Sequence, residues 1–270
     1  MKIAISVSGQ TRGFNNISED WHRGLDLLLK DHEYTLFGHT WDDCELPNDK
    51  SKFESLSVTS NNDIWEWASQ DIFNRVPYNT SLEFNEEWID IKQKDIGVIN
   101  FFKKIAIGGW AQIWSFNKTL DDIKLDYKNY DVFLRWRWDS FVTVKQRNID
   151  IFREILPEWV KDKDVWDNYN AFNVLTYTPG NLTGRTMQDT HFLLKQDMIE
   201  NLTKYNFLDV LQATTENVRK YHSHNITAHE LWYEYLAGQG ASIGCGYPCI
   251  RASTEEINPV FEKENKKWGI

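Results

Sequence analysis

Arg135, Arg137 and Asp139 stand in "DVFLRWRWDS" (131–140). Alternation along a strand puts Phe133, Arg135, Arg137 and Asp139 on one face and Leu134, Trp136 and Trp138 on the other. Two guanidiniums on one face of an interior strand need a counter-charge, because an unpaired buried charge is strongly unfavourable. A bound diphosphate would supply it, alone or with a divalent cation on Asp139. An internal salt-bridge ladder would supply it too. A second stretch, "SVSGQTRGF" (6–14), offers Ser8, Gly9, Gln10 and Arg12. Gly9 lets the backbone approach a ligand, amides ahead of a helix face an anion, and Arg12 can clamp a phosphate with two parallel hydrogen bonds. The pattern matches neither the dinucleotide glycine fingerprint nor the P-loop, so a plain turn with a surface arginine is the competing reading. "FGHTWDDC" (37–44) adds Asp42 and Asp43, placed either to hold a ribose hydroxyl or base edge or to cap a helix. "GRTMQDTHFLLKQD" (184–197) delivers Asp189 to the start of a strand, where it could orient or deprotonate a hydroxyl or serve only as a turn residue. In "YHSHNITAHE", His222, His224 and His229 have no carboxylate or cysteine at a supporting metal spacing and read as surface or loop residues.

These stretches need elements to position them. "KIAISVS" (2–8) reads as a buried strand with Ile3, Ile5 and Val7 on one face. Asn16 and Glu19 have capping-box spacing, and Trp21, Leu25, Leu28 and Leu29 form an amphipathic stripe after them. "YTLFGHTW" (34–41) reads as a second strand, so strand, helix and strand make a βαβ unit and imply a parallel sheet. Residues 44–60 read as loop, 62–76 as a helix stopped by Pro77, and 80–84 as a strand. Residues 85–100 read as a surface excursion. Further helices are expected over 108–125, over 148–156 with a stop at Pro157, over 197–211, and over 227–240 with Thr227 and Glu230 as a capping box. Further strands are expected over 130–142, 171–177 and 190–196, with 179–184 a loop and "ASIGCGY" an edge strand. Residues 1–255 read as one domain and 256–270 as a charged tail.

The composition excludes several classes. Charged residues make 26% and hydrophobic residues 41%, an ordinary globular balance. No apolar run approaches the roughly 18–20 residues of a membrane span. The opening run is too short for a signal-peptide core, so the expected location is cytoplasmic. Three cysteines build no disulfide framework, and Cys245 and Cys249 lack the second pair that a zinc site needs. The net charge of −10 argues against double-stranded nucleic acid as a partner. Thirteen Trp and eleven Tyr are a heavy aromatic load, suited to core packing and also to stacking on sugars or bases.

Taken in order, "KIAISVSGQTRGF", "EYTLFGHTWDD", "YDVFLRWRWDS", "QDTHFLLKQDMIENL" and "AHELWYEYLAGQGASI" resemble a group of bacterial and viral glycosyltransferase-like proteins. The resemblance spans roughly residues 2–252. It implies an α/β, GT-A-like (Rossmann-like) fold with a mixed, mainly parallel central sheet and helices on both faces. It also implies a nucleotide-sugar donor, a hydroxyl acceptor such as a glycan, a place in polysaccharide biosynthesis, and often Mn²⁺ or Mg²⁺. Ser8, Gly9, Gln10 and Arg12 match the donor-facing first loop; Asp43, Arg135 and Arg137, read from their places at the strand ends, are the further donor contacts expected. Asp139 matches the metal position, and Asp189 the acceptor side. Here Arg137-Trp138-Asp139 replaces the family's Asp-x-Asp, which sets a direct guanidinium contact to the diphosphate against a metal. The other reading is a non-catalytic module that binds a nucleotide or sugar, and a third is a purely structural α/β protein.

Overall fold

The computed structural model describes residues 1–60, 96–142, 146–161, 172–176, 185, 187, 189–204, 214, 217, 220, 221, 228–245, 252 and 253. The chain opens with β1 (Lys2–Ser8), α1 (Phe14–Leu28), β2 (Glu33–Trp41) and β3 (Phe53–Thr59). Then come α2 (Ile96–Ile123), β4 (Val132–Trp136), β5 (Ser140–Phe141) and α3 (Gln146–Val160). β6 (Val174–Thr176), β7 (Phe192–Lys195), α4 (Gln196–Lys204), α5 (Ala228–Gly238), β8 (Ile243–Cys245) and β9 (Ala252–Ser253) complete it.

Seven strands form one sheet in the order β3-β2-β1-β4-β7-β6-β8, and β5 pairs with β9 in a small ribbon. Strand β1 lies inside the sheet, parallel to β2 on one side and to β4 on the other. Strand β7 runs against both its neighbours, β4 and β6. This is the mixed, mainly parallel sheet that the sequence led us to expect. The antiparallel β7 matters for chemistry: its first residues lie at the same edge as the last residues of β4, Arg135 opposite Phe192.

Side chains alternate across the sheet and build a core on each face. On one face Ile3, Ile5, Val7, Leu134 and Trp136 pack under Trp21, Leu25 and Leu28 of α1 and Phe152 and Trp159 of α3. On the other, Ala4, Phe133, Phe192 and Leu194 meet Phe116 and Leu120 of α2, Met198 and Leu202 of α4, and Trp232 and Tyr235 of α5. The two faces of β4 expected from its sequence hold from Val132 to Trp136.

Five expectations are corrected, the first being that residues 96–100, expected in a surface excursion, open helix α2. Residues 53–59 are a strand, not loop: Phe53 buries against Trp138 while Glu54 stays exposed, as an edge strand permits. Helix α1 begins at Phe14 instead of at the Asn16 capping box, because Gly13, at φ 74°, turns the chain and the Phe14 N–H donates to the Thr11 carbonyl at 2.7 Å. Pro157 does not stop α3, which runs on to Val160. Within one turn of the helix end, the missing N–H of proline removes only one ladder bond. Finally, the strand expected over 130–142 breaks after Trp136, where the Ser140 N–H closes a turn on the Arg137 carbonyl at 3.2 Å. The expectations for 62–76, 80–84, 85–95, 179–184, 205–211, His222, His224, Thr227, Cys249 and the tail lie outside the described residues.

Candidate functional site

Strand β1 delivers the first loop. Ser8 is buried, and its Oγ has no hydrogen-bond partner. Gly9 follows at φ 116°, a conformation that side chains disfavour, and a Cβ built on it would meet nothing within 4 Å. The backbone is therefore open to a ligand there. The Gly9 N–H donates to Ser115 Oγ of α2 at 2.9 Å, and Ser115 Oγ also meets Nδ1 of His39 at 2.5 Å. Nε2 of His39 reaches Thr59 Oγ1 at 3.0 Å. Burial, with Lys118 adding to it, lowers the His39 pKa to about 3. The ring is therefore a neutral strut between the first loop, α2 and β3. Gln10 and Arg12 are exposed, and Arg12 Nε donates to Gln10 Oε1 at 2.9 Å. Arg12 sits at φ 32°, the single non-glycine residue with positive φ among the described residues. Such strain persists where the surroundings hold it, often at functional sites.

Strand β4 delivers the central arginines and Asp139. Past Trp136 the chain leaves the sheet, anchored by two indoles. Trp136 Nε1 donates to the Ser140 carbonyl at 2.7 Å, and Trp138 Nε1 to the His39 carbonyl at 2.9 Å. Between these anchors Arg137 forks onto Asp139, Nε to Oδ1 at 2.8 Å and Nη2 to Oδ2 at 2.5 Å. Arg12 Nη1 lies 3.7 Å from the same Oδ2. The first loop and Asp139, 127 positions apart, are thus neighbours across one edge.

Strand β7, by its reversed direction, delivers Asp189. Arg137 Nη1 reaches Asp189 Oδ2 at 3.5 Å, and His229 Nδ1 of α5 lies 3.3 Å from Oδ1. Arg135 was expected to face a ligand, but it is fully buried. Its Nη1 donates to the Asp189 carbonyl, and its guanidinium lies 4.6 Å from the Trp232 ring centroid. Arg135 therefore supports Asp189 from behind and has no exposed surface to offer a donor. Asp43, also expected to contact a donor, is exposed past the end of β2, close to Cys44 Sγ at 3.5 Å.

The result is an alternating row at the carboxyl edge of the parallel strands: Arg12, Asp139, Arg137, Asp189, His229. Arg135 lies beneath the row. The residues as placed do not fit Mn²⁺ or Mg²⁺. Both oxygens of Asp139 already accept from Arg137, and among the described residues no three His, Cys, Asp or Glu side chains gather around one point. A hard dication needs oxygen donors with surplus negative charge, and here Asp139 and Asp189 each already face the Arg137 guanidinium. Sequence reasoning set His229 aside and did not name Ser115. His229 lies 40 positions from Asp189, and its one sequence signal was its place in the "AHELWYEYL" stretch.

No described helix is long and apolar enough to cross a membrane. No family model matches the chain. Among solved structures it is similar to the galactosyltransferase LgtC in complex with donor and acceptor sugar analogues, at 13% identity and a TM-score of 0.38, over 91% of this chain and 72% of that one. It is similar to mouse xyloside xylosyltransferase 1 at 7% identity and a TM-score of 0.40, over 91% of this chain and 85% of that one. An active-site variant of LgtC gives 12% identity and a TM-score of 0.40, over 91% and 72%. Likenesses of that size carry no argument about this chain, whose chemistry has to be read from its own residues.

Proposed function

We propose that this chain transfers a sugar from a nucleoside-diphosphate sugar to a hydroxyl, most naturally one on a glycan. The observation that carries the reading is the meeting of Arg12 and Arg137 around Asp139 (3.7 and 2.8 Å) beside an open Gly9. In open α/β sheets, ligands bind outside the carboxyl ends of the strands. As the bond from sugar to diphosphate breaks, negative charge grows on the leaving phosphate oxygens. Guanidiniums already fixed at that place stabilise it without reorganisation. Arg12 has the free surface for this, being half exposed, and the N-terminal end of α1 beside it adds a partial positive charge. Asp139 aims Arg137, and Asp189 stands on the acceptor side. No step is routed through a metal.

The saturated Asp139 supports a second reading, a module that binds nucleotide sugars without turning them over. One experiment separates the two. The protein is screened by thermal shift against UDP, GDP and their sugars, with Mn²⁺ or with EDTA, and release of free nucleoside diphosphate is followed. A rise in melting temperature that EDTA leaves in place, with diphosphate release, supports transfer. Binding without release supports the module. No shift with any nucleotide removes both readings.

A further inference from the structure

We infer that His229 is the base that takes the proton of the attacking hydroxyl, with Asp189 as its orienting partner. This rests on the transfer reading above. His229 opens α5, and two hydrogen bonds fix it to the segment that carries Asp189. The Met187 N–H donates to the His229 carbonyl at 3.2 Å. His229 Nδ1 lies 3.1 Å from the Met187 carbonyl. A carbonyl can only accept, so the Nδ1 atom carries the hydrogen. It shares that hydrogen with Asp189 Oδ1 at 3.3 Å. In the neutral ring Nε2 then holds the lone pair, as a base requires.

The accessibility agrees. One third of the His229 side chain is exposed while its Nδ1 edge is bonded inward, against 9% for the side chain of Asp189. Asp189 is the less available of the two: its Oδ2 faces Arg137 at 3.5 Å and its Oδ1 faces the imidazole. A carboxylate bonded to Nδ1–H holds one tautomer and stabilises the imidazolium when it forms. Among the described residues, Asp189 lies in front of the ring and Arg137 behind Asp189. On its own helix Glu230 follows it, and Glu234 is held by Arg185 at 2.6 Å.

The acceptor O–H proton passes to His229 Nε2, and the acceptor oxygen forms its bond to the anomeric carbon. The carbon–oxygen bond to the diphosphate breaks, and its electron pair leaves with the phosphate facing Arg12 and Arg137. Water can replace the acceptor, which allows a test without knowing the glycan.

The test uses the full chain and hydrolysis of whichever UDP- or GDP-sugar stabilises it. His229→Asn keeps a donor toward Met187 but has no basic nitrogen. The expected result is a fall in kcat of about 100-fold or more with an unchanged Kd for the nucleotide. The acidic limb of the wild-type kcat/KM profile should vanish in the variant, and added imidazole should restore part of the rate. Wild-type kcat in His229→Asn, or an acidic limb that persists in it, overturns the role of His229 and leaves the transfer reading standing. Binding with no hydrolysis or transfer by the unaltered protein overturns both.

Discussion

At the residue scale, Arg12 joins two properties that seldom coincide: a strained backbone and an exposed charge. Arg12→Ala should weaken UDP binding by about 10- to 100-fold, the loss of one charge-assisted hydrogen bond of about 1.5–3 kcal/mol, measured by calorimetry. Arg12→Gly should lose the same affinity yet melt no lower than Arg12→Ala, because glycine accepts φ 32° without strain. Equal affinity in the wild type and both variants would remove the first loop from the phosphate site. Asp139→Ala removes the carboxylate onto which Arg137 forks. Transfer should be lost because the guanidinium is no longer aimed, while free UDP binds at least as tightly because a negative charge has gone. Near-normal turnover in that variant would take Asp139 out of the mechanism. His39 gives a pH prediction. Its folded pKa, about 3, lies below the ordinary 6.5, so its contribution to stability is whole above pH 6.5 and falls away between there and about pH 3. The lowered pKa of His22 acts in the same direction. Urea titrations should show about 2 kcal/mol lost by pH 5 on account of His39, and His39→Gln should flatten that slope.

At the element scale, the 137–139 turn depends on what lies beneath Trp138. A Cβ on Gly38 of β2 would come within 2.6 Å of Leu56 Cδ1, 3.2 Å of Phe53 Cδ1 and 3.3 Å of Trp138 Cη2. Gly38→Val should therefore cost about 1–3 kcal/mol by overpacking and should also weaken UDP binding, since Trp138 carries the turn. Stability lost with affinity intact would show that the turn does not lean on Trp138. Strands β1, β2 and β4 were legible in the sequence because each is an interior strand with a simple apolar pattern. Strand β3 was not: an edge strand buries one side only, so "FESLSVT" carries serines and a glutamate in places where a pattern reads loop. The break after Trp136 was hidden for another reason. The alternation of Arg137, Trp138 and Asp139 continues that of the strand, while the turn is decided by indole hydrogen bonds to Ser140 and to His39, 99 positions away in the second case. The arginines of that stretch were legible as chemistry, but their separation was not. Arg135 ends inside the core and Arg137 at the edge, and tertiary packing against Trp232 makes the difference.

At the scale of the whole molecule, a chain of net charge −10 gathers Arg12 and Arg137 at one edge of its sheet. An anionic donor is therefore recognised by local geometry against an unfavourable long-range field. Ligand binding should stabilise the folded state by about 2.7 kcal/mol at a concentration one hundred times Kd. The antiparallel course of β7 has a consequence beyond placing Asp189. Together with the parallel β1 and β4, it brings to one edge residues from the first loop, the middle of the chain and α5, so that Arg12 and His229, 217 positions apart, belong to one short row. No local segment holds even half of that row. Recognition of the nucleotide is thus a readout of a finished fold, available only once early and late parts of the chain have met. In a urea series, UDP binding and the tryptophan signal of the two cores should disappear at one midpoint. Loss of binding at lower urea would mark the edge as a unit that melts by itself.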